Sequence, residues 1–423
     1  MTGNSGTRSD HGTPGTRPRR RRLRVVVTAL VGAGLLTTAA PVATAATAAT
    51  AAPAPAAQGA PADGGPGPTV GGGAARVDRG ALDAAVAAMV KQGGASAALS
   101  AVREGSRPVW RGAAGTSDLA TGAPVDENGR FRIGSVTKAF VSTVVLQLAG
   151  EHRLGLDDPI ERFLPGEVPN GAAITVRQLL NHTSGLPNHT NAPTFDFSKP
   201  AWVESGRWKD YRAQDLVDIA NTLPPASAPG AAWNYSNTNY VLAGMIIEKV
   251  TGHPWNEEVE RRILRPLGLT HTSMPVSSPF IPGPHAHGYL QLPTGPVDVT
   301  LENPSWAGPA GSGISTTADL DRFIAALLGG KLLRPAELAE MQRTTGLGAG
   351  KDYGLGLQRY DTSCGLYWGL TGGIPGYSTA VYGAADGGRQ FAVSVNLYDV
   401  SDLEAAGKAW QALVDAGACA GRG

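Results

Sequence analysis

Segments typical of β-strands occur near both ends of the chain, and the long section between them is dominated by helical patterns and turn residues. Runs at 97–102 and 108–113 precede this section, and runs at 377–382 and 391–397 follow it. Strands at both ends around a helical middle, about residues 150–300, predict an α/β (α+β) fold. In this fold a helical subdomain interrupts a domain built on a sheet.

Apolar residues recur at helical spacing in several other segments. Thr175 is a suitable N-cap for a short helix, because its side chain can accept a hydrogen bond from the first free backbone N–H groups. Leu179 and Leu180 would lie on the apolar face of that helix. The other predicted helices cover residues 82–90, 139–148, 240–250, 317–328 and 403–414.

The first 45 residues have the pattern of an export signal. Six arginines lie between positions 17 and 24, an apolar segment covers residues 25–36, and small residues follow at Ala43-Thr44-Ala45. This order is typical of a cleavable secretory signal peptide, and the apolar segment is short for a membrane span. An uncleaved anchor is the alternative, and the sequence does not decide between the Sec and twin-arginine routes. We therefore expect a secreted, extracellular protein.

Composition changes after the signal. Residues 46–75 are almost entirely Ala, Pro, Gly and Thr, which predicts a disordered linker before a folded domain at 76–423. Residues 1–45 hold seven of the 36 basic and one of the 35 acidic residues, which leaves 29 basic and 34 acidic residues afterwards. This balance does not suggest nucleic acid or a membrane surface as a partner. We expect a monomer that binds a small molecule or a peptide.

The two cysteines, Cys364 and Cys419, are too few for a four-cysteine zinc site. Because an exported protein meets oxidising conditions, we predict one disulfide between a late strand and the C-terminal helix. Two buried free thiols are the alternative.

The first motif with a chemical meaning is S-x-x-K at Ser135 and Lys138, which opens an apolar helix after a strand-like run. Residues three apart lie on one helix face, so the hydroxyl and the amine can meet. A serine needs a base to become a good nucleophile, and a lysine with a lowered pKa can be that base. The motif occurs once in the chain, but S-x-x-K alone also fits a surface Ser/Lys pair.

Two further motifs follow in the sequence. Tyr235 and Asn237 form Y-x-N, in which a phenol can relay a proton and an amide can hold a substrate carbonyl. Thr371, Gly372 and Gly373 lie in a strand-like stretch, where glycines allow a substrate backbone to approach. The N–H of Gly373 is a candidate oxyanion donor. A polar turn and a glycine-rich turn are the structural alternatives.

The three motifs in this order resemble those of the serine β-lactamase and D-alanyl-D-alanine carboxypeptidase family. The tyrosine form of the middle motif is similar to class C β-lactamases, secreted carboxypeptidases and related esterases. Three other stretches support the resemblance, which covers about residues 77–420: residues 175–186 (TVRQLLNHTSGL), 267–269 and 311–316. The resemblance implies a β-lactamase/transpeptidase-like fold, with an antiparallel sheet flanked by helices and an inserted helical domain.

The resemblance also implies a role for each motif residue. Ser135 would be the acylated nucleophile, Lys138 its activating base and Tyr235 the proton relay, while Asn237 would hold the substrate amide. The N–H groups of Ser135 and Gly373 would form the oxyanion hole. Which of Lys138 and Tyr235 takes the first proton stays open from the sequence.

One position departs from the family pattern. The third motif usually begins with Lys or His, and Leu370 stands there in this chain. A cation at this point would help to bind a substrate carboxylate and to keep the tyrosine acidic. Its replacement weakens the case for β-lactamase and carboxypeptidase activity, and favours uncharged esters or peptides as substrates.

Three histidines, His182, His285 and His287, are further candidates for functional residues. His285 and His287 form a short pair without a third ligand at metal spacing, so the sequence predicts no metal site and no cofactor. His182 lies within the family-like stretch at 175–186, where the predicted helix ends, and is predicted to be structural. The leading hypothesis is a secreted serine hydrolase of the D-Ala-D-Ala carboxypeptidase or β-lactamase kind. The alternatives are an esterase of the same fold and a penicillin-recognising binding protein without turnover.

Overall fold

The structure, a computed structural model, describes residues 77–399 and 401–419. The predicted signal peptide and linker lie outside these residues. None of the described helices is long and apolar enough to cross a membrane.

The described residues form ten β-strands: β1 (Ala95–Glu104), β2 (Arg107–Gly115), β3 (Phe131–Arg132), β4 (Tyr289–Leu292), β5 (Gly295–Asp298), β6 (Ile314–Ser315), β7 (Gln358–Thr362), β8 (Gly365–Ile374), β9 (Tyr377–Ala384) and β10 (Arg389–Leu397). Six of them build one antiparallel sheet in the order β2-β1-β10-β9-β8-β7. The first strand, β1, pairs with the last strand, β10, with Leu99 opposite Ser394 and Val102 opposite Phe391. The predicted antiparallel sheet with strands from both chain ends is confirmed.

The described α-helices are α1 (Arg79–Lys91), α2 (Thr137–Gly150), α3 (Val176–Leu180), α4 (Pro200–Glu204), α5 (Ala213–Asn221), α6 (Asn237–Thr251), α7 (Trp255–Val259), α8 (Arg265–Leu267), α9 (Thr317–Leu328), α10 (Pro335–Gln342) and α11 (Leu403–Cys419). A π-helical turn, Glu260–Leu264, joins α7 to α8. The predicted cap of α3 is confirmed, and Gln178 completes a capping box with Thr175. Two donors at the start of this short helix are thereby satisfied.

Helices cover both faces of the large sheet. On one face, α1 and α11 share a hydrophobic core with β1, β9 and β10, which includes Leu82, Leu413 and Phe391. On the other face, α2, α6 and α9 form a larger core, where the rings of Phe140 and Phe323 stack with centroids 3.7 Å apart. The residues of the three motifs are carried by elements of this larger core, namely α2, the start of α6 and β8. The packing of α2 and α6 against the sheet therefore determines where those residues meet.

The middle section contains one element that the sequence did not indicate. Helices α3 to α8 are followed by the hairpin β4–β5, in which Leu292 pairs with Gly295 around the two-residue loop Pro293-Thr294. Proline is rare within β-strands because it has no backbone N–H to donate, yet Pro296 lies within β5. The hairpin is a separate two-stranded sheet, whose edges tolerate a residue without an N–H.

The two cysteines form a disulfide. Cys364, in the turn between β7 and β8, is joined to Cys419 at the end of α11, with their Cα atoms 5.4 Å apart. The predicted pairing is confirmed, and it closes a loop of 55 residues. The disulfide joins the β7–β8 end of the sheet to α11, the helix that packs on β1 and β10.

Replacing either cysteine by serine should lower the free energy of unfolding by about 4 kcal/mol, because the unfolded chain regains the entropy of an open loop. Urea unfolding of Cys364→Ser, Cys419→Ser and the double variant measures this, and all three should be equally destabilised. The unreduced wild type should also be about 2 Da lighter than the all-thiol chain. A free energy of unfolding equal to that of the wild type in all three variants would show that the disulfide does not stabilise the fold.

Candidate active site

Ser135 lies in a tight turn between a strand and a helix. The chain leaves β3, passes through the 3₁₀ turn Gly134–Val136 and enters α2. Gly134 has φ +49°, a left-handed conformation that favours glycine. The hydroxyl of Thr137 donates to the carbonyl of Gly134 at 2.7 Å and accepts from the N–H of Gly313 at 3.0 Å. The turn is therefore fixed from both sides, and the serine side chain remains half-buried.

Lys138 lies one turn further along α2, on the same face as Ser135. Its Nζ is 2.9 Å from Ser135 Oγ and also donates to Asn237 Oδ1 at 2.8 Å and to the carbonyl of Ala310 at 2.7 Å. The side chain is fully buried. Burial disfavours the charged amine and lowers the pKa of Lys138 well below its ordinary value. The predicted meeting of hydroxyl and amine is confirmed.

Tyr235 and Asn237 reach the same point from the start of α6. The phenol oxygen of Tyr235 is 2.6 Å from Ser135 Oγ. Burial raises the pKa of Tyr235, although the hydrogen bond with Ser135 opposes this rise. Asn237 is held in turn by Asn188, whose Oδ1 accepts its backbone N–H at 3.1 Å, and by Thr190, whose Oγ1 accepts from its Nδ2 at 3.3 Å.

The third motif forms the opposite wall of the site. Strand β7 pairs with β8 only from Gly365 to Gly369, whereas β9 pairs with β8 as far as Ile374. Beyond Gly369 the edge of β8 that faces away from β9 is therefore free of a partner strand, and the turn that carries Ser135 lies against this part of β8. A Cβ on Gly372 would lie 2.0 Å from the carbonyl oxygen of Ile133 and 3.0 Å from Ser135 N. A Cβ on Gly134 would lie within 2.9 Å of Gly373 N. These close approaches require glycine at both places and bring Gly373 beside Ser135.

Thr371 is half-buried on the same strand, opposite Ala380 of β9. Leu370, which precedes it, is only 3% exposed and belongs to the larger core. The position where the related motifs carry a cation is therefore a packed apolar side chain in this protein.

The three histidines singled out from the sequence lie in two different environments. His182 is fully buried, with its ring centroid 4.3 Å from that of Tyr235. His285 and His287 stack on each other at 5.9 Å, and Nδ1 of His287 is 2.7 Å from Asp298 Oδ2. No group of three or more His, Cys, Asp or Glu side chains in the described part of the chain is arranged to hold a metal ion.

Three groups that complete the site have no recognisable motif in the sequence. The carbonyl of Ala310 carries no side-chain signal, because any residue offers the same acceptor. Asn188 and Thr190 follow the family-like stretch at 175–186, but their spacing to Asn237 is not a motif. Only the packing of the 3₁₀ turns around 189 and 308 against α6 and α2 brings them together.

Comparison with known proteins agrees with this geometry. The family model described as "Beta-lactamase" matches residues 82–415. Penicillin-binding protein 4* of Bacillus subtilis is 30% identical over 65% of this chain and 62% of its own length. Esterase EstB of Burkholderia gladioli is 32% identical over 38% of this chain and 42% of its own length. The chain thus spans less than two thirds of the length of these curated relatives.

Several solved structures match over nearly their whole length. A D-stereospecific amidohydrolase from Streptomyces sp. is 39% identical with a TM-score of 0.73, covering 81% of this chain and 99% of that protein. The D-amino acid amidase of Ochrobactrum anthropi is 28% identical with a TM-score of 0.69, covering 80% and 97%. Motifs, fold and family match agree, and the chain belongs to the β-lactamase family of serine hydrolases.

Proposed function

We propose that the protein hydrolyses amides and esters of D-amino acids that lack a free carboxylate next to the scissile bond, through an acyl-enzyme on Ser135. The observation that carries this proposal is the buried, uncharged Leu370 at the position where related motifs have Lys or His. The similarity to the Streptomyces D-stereospecific amidohydrolase supports the D-amino acid part.

The contacts of Lys138 support its role as the base. A neutral amine has two N–H donors and one lone pair. Asn237 and Ala310 supply two carbonyl acceptors, which leaves the lone pair for the hydroxyl of Ser135. Burial lowers the pKa of Lys138 and raises that of Tyr235, so both shifts favour a free amine beside a neutral phenol.

The reaction then follows from these positions. Ser135 transfers its proton to Lys138 while Oγ forms a bond to the substrate carbonyl carbon. The backbone N–H groups of Ser135 and Gly373 receive the oxyanion. Tyr235 gives its proton to the leaving nitrogen or oxygen as that bond breaks, and the proton held on Lys138 restores the phenol. Asn237 holds the substrate amide, and water later releases the acid by the reverse proton transfers.

A D-Ala-D-Ala carboxypeptidase or β-lactamase activity is the second candidate. The similarity to Penicillin-binding protein 4* favours it. Both substrate classes carry a carboxylate that needs a positive partner, and Leu370 supplies none at the third motif. The contacts among Ser135, Lys138 and Tyr235 favour turnover over a binding protein that only recognises such ligands.

We also propose that the protein acts outside the cytoplasmic membrane. The N-terminal pattern of residues 1–45 and the Cys364–Cys419 disulfide support export. N-terminal sequencing of protein recovered from the medium tests this, and a start near Ala46 is expected.

A fluorophosphonate probe should label the peptide that contains Ser135, and Ser135→Ala should abolish labelling. Lys138→Ala should slow acylation by roughly 10² or more, the usual loss for a general base. Ser142→Ala is a matched control on the same helix, because its hydroxyl contacts Tyr240 rather than the site, and it should label normally. Mass spectrometry of the labelled peptides measures all three, and labelling of another serine in Ser135→Ala would overturn the assignment.

The activity should depend on pH through Lys138. At low pH the protonated amine accepts no proton from Ser135, so kcat/KM should fall below the pKa of Lys138 and reach a plateau above it. Because that pKa is lowered, the acid limb should lie well below the ordinary lysine value of about 10.4. A pH profile of kcat/KM with a neutral ester measures the midpoint. An acid limb near 10 would contradict a buried free amine as the base.

The wild type should hydrolyse D-alanine p-nitroanilide and its p-nitrophenyl ester better than a D-Ala-D-Ala peptide or nitrocefin. Leu370→Lys should raise kcat/KM for the two carboxylate substrates by about 10- to 150-fold, the value of a charge-assisted hydrogen bond of roughly 1.5–3 kcal/mol. Because an added cation also lowers the pKa of Tyr235, the ratio between substrate classes is the measured quantity.

Leu370→Met is the matched control, since it keeps an apolar side chain of similar volume and should leave the ratio unchanged. The melting temperature of each variant should be measured, because the position is buried. A wild type that prefers the carboxylate substrates would refute the proposed substrate class and favour the second candidate.

A further inference from the structure

His182 lies directly behind the tyrosine of the site. It follows α3, is fully buried, and has φ +62°, a left-handed conformation that is uncommon in residues other than glycine. Its imidazole faces the ring of Tyr235 with centroids 4.3 Å apart and an interplanar angle of 38°. The rings of Tyr240 and Tyr353 enclose it at 5.5 and 5.1 Å.

His182 holds the backbone on both sides of Tyr235. Its carbonyl oxygen accepts the N–H of Asn234 at 2.9 Å, and its imidazole Nδ1 accepts the N–H of Ser236 at 3.2 Å. One residue therefore fixes the chain immediately before and immediately after the tyrosine, while its ring packs against the tyrosine side chain. These contacts leave the phenol little freedom to move away from Ser135 Oγ, 2.6 Å distant.

The hydrogen bonds also determine the form of the imidazole. A backbone N–H can only donate, so Nδ1 of His182 must be an acceptor. Asn239 adds a second donor, since its Nδ2 is 3.2 Å from Nδ1 and its Oδ1 accepts from the hydroxyl of Ser184 at 2.7 Å. The proton of the ring is therefore on Nε2, and the imidazole is neutral. Burial, and to a smaller degree the charge of a protonated Lys138, lower the pKa of His182 well below its ordinary value.

We propose that His182 is a positioning residue for proton transfer by Tyr235: its neutral imidazole and backbone carbonyl hold the phenol in line with Ser135 Oγ and the leaving group. His182 does not touch the reacting atoms. The inference rests on the proposed function, because it assigns Tyr235 the protonation of the leaving group. A displacement of a catalytic group by about 1 Å can cost 10²-fold in rate.

The choice of leaving group distinguishes positioning from general damage. The nitrogen of an anilide must be protonated to leave, whereas p-nitrophenolate leaves as a stable anion. A misplaced Tyr235 should therefore slow cleavage of D-alanine p-nitroanilide much more than cleavage of D-alanine p-nitrophenyl ester. Loss of folded protein, or a distorted acyl pocket, would lower both rates by the same factor.

His182→Gly removes the ring and the Nδ1 acceptor without straining the backbone at φ +62°. We expect kcat for the anilide to fall about 10²-fold with little change in KM, and kcat for the ester to fall less than about fivefold. His182→Asn, which tolerates the left-handed conformation and restores an acceptor near Nδ1, should recover part of the anilide rate. Titration of Ser135 with a fluorophosphonate normalises each rate to the amount of folded enzyme.

Two controls separate the possible failures. His189→Asn removes another fully buried imidazole, which contacts Thr238 and the carbonyl of Trp306 rather than Tyr235, and it should show no selectivity between the substrates. Tyr235→Phe should show the selective loss at least as strongly as His182→Gly. If Tyr235→Phe is selective and His182→Gly is not, the positioning role is refuted while the proposed function stands. If Tyr235→Phe affects both substrates equally, the relay itself is refuted, and the role of His182 with it.

Discussion

The buried amine of Lys138 is the interaction on which the rest of the site depends. A lysine without exposed surface is costly to fold as a cation, and this cost lowers the pKa of the Lys138 amine. The same amine is a hydrogen-bonding centre that joins α2, α6 and the turn at Ala310, because Ser135, Asn237 and Ala310 all contact Nζ. Its chemistry and its structural role therefore have one cause, which is the packing that excludes water from it.

The second constraint is the close contact between the backbone of the turn Gly134–Val136 and that of β8. Gly134 and Gly372 lie where any Cβ would collide with the opposite backbone. This contact brings the N–H groups of Ser135 and Gly373 to one place, while the registers of β8 with β9 and β7 keep the strand in position. The oxyanion hole that we propose consists of backbone donors on rigid elements, and such a site loses little free energy to reorganisation during the reaction. The serine, the lysine and the strand edge thus form one preorganised unit.

Tyr235 differs from these groups, because it lies before α6 rather than inside a helix or strand. Its position depends on side-chain and main-chain contacts from another segment, and His182 supplies several of them. The sequence places His182 in the stretch that resembles the family, yet nothing in that stretch indicates a contact with a residue more than fifty positions away. Its backbone conformation and the direction of its hydrogen bonds appear only in the folded chain.

Local rules were sufficient for much of this protein. Periodicity and capping residues predicted α2, α3 and α9, and the i, i+3 spacing of Ser135 and Lys138 placed hydroxyl and amine on one helix face, because these features depend on neighbours within a few residues. The order of the three motifs indicated the family and its antiparallel sheet. Tertiary structure alone decided that Ala310, Asn188 and Thr190 complete the site, that Leu370 is packed in the core, and that a proline-containing hairpin follows the helices. These contacts join segments far apart in sequence, and their energies depend on burial, which no local pattern of residues determines.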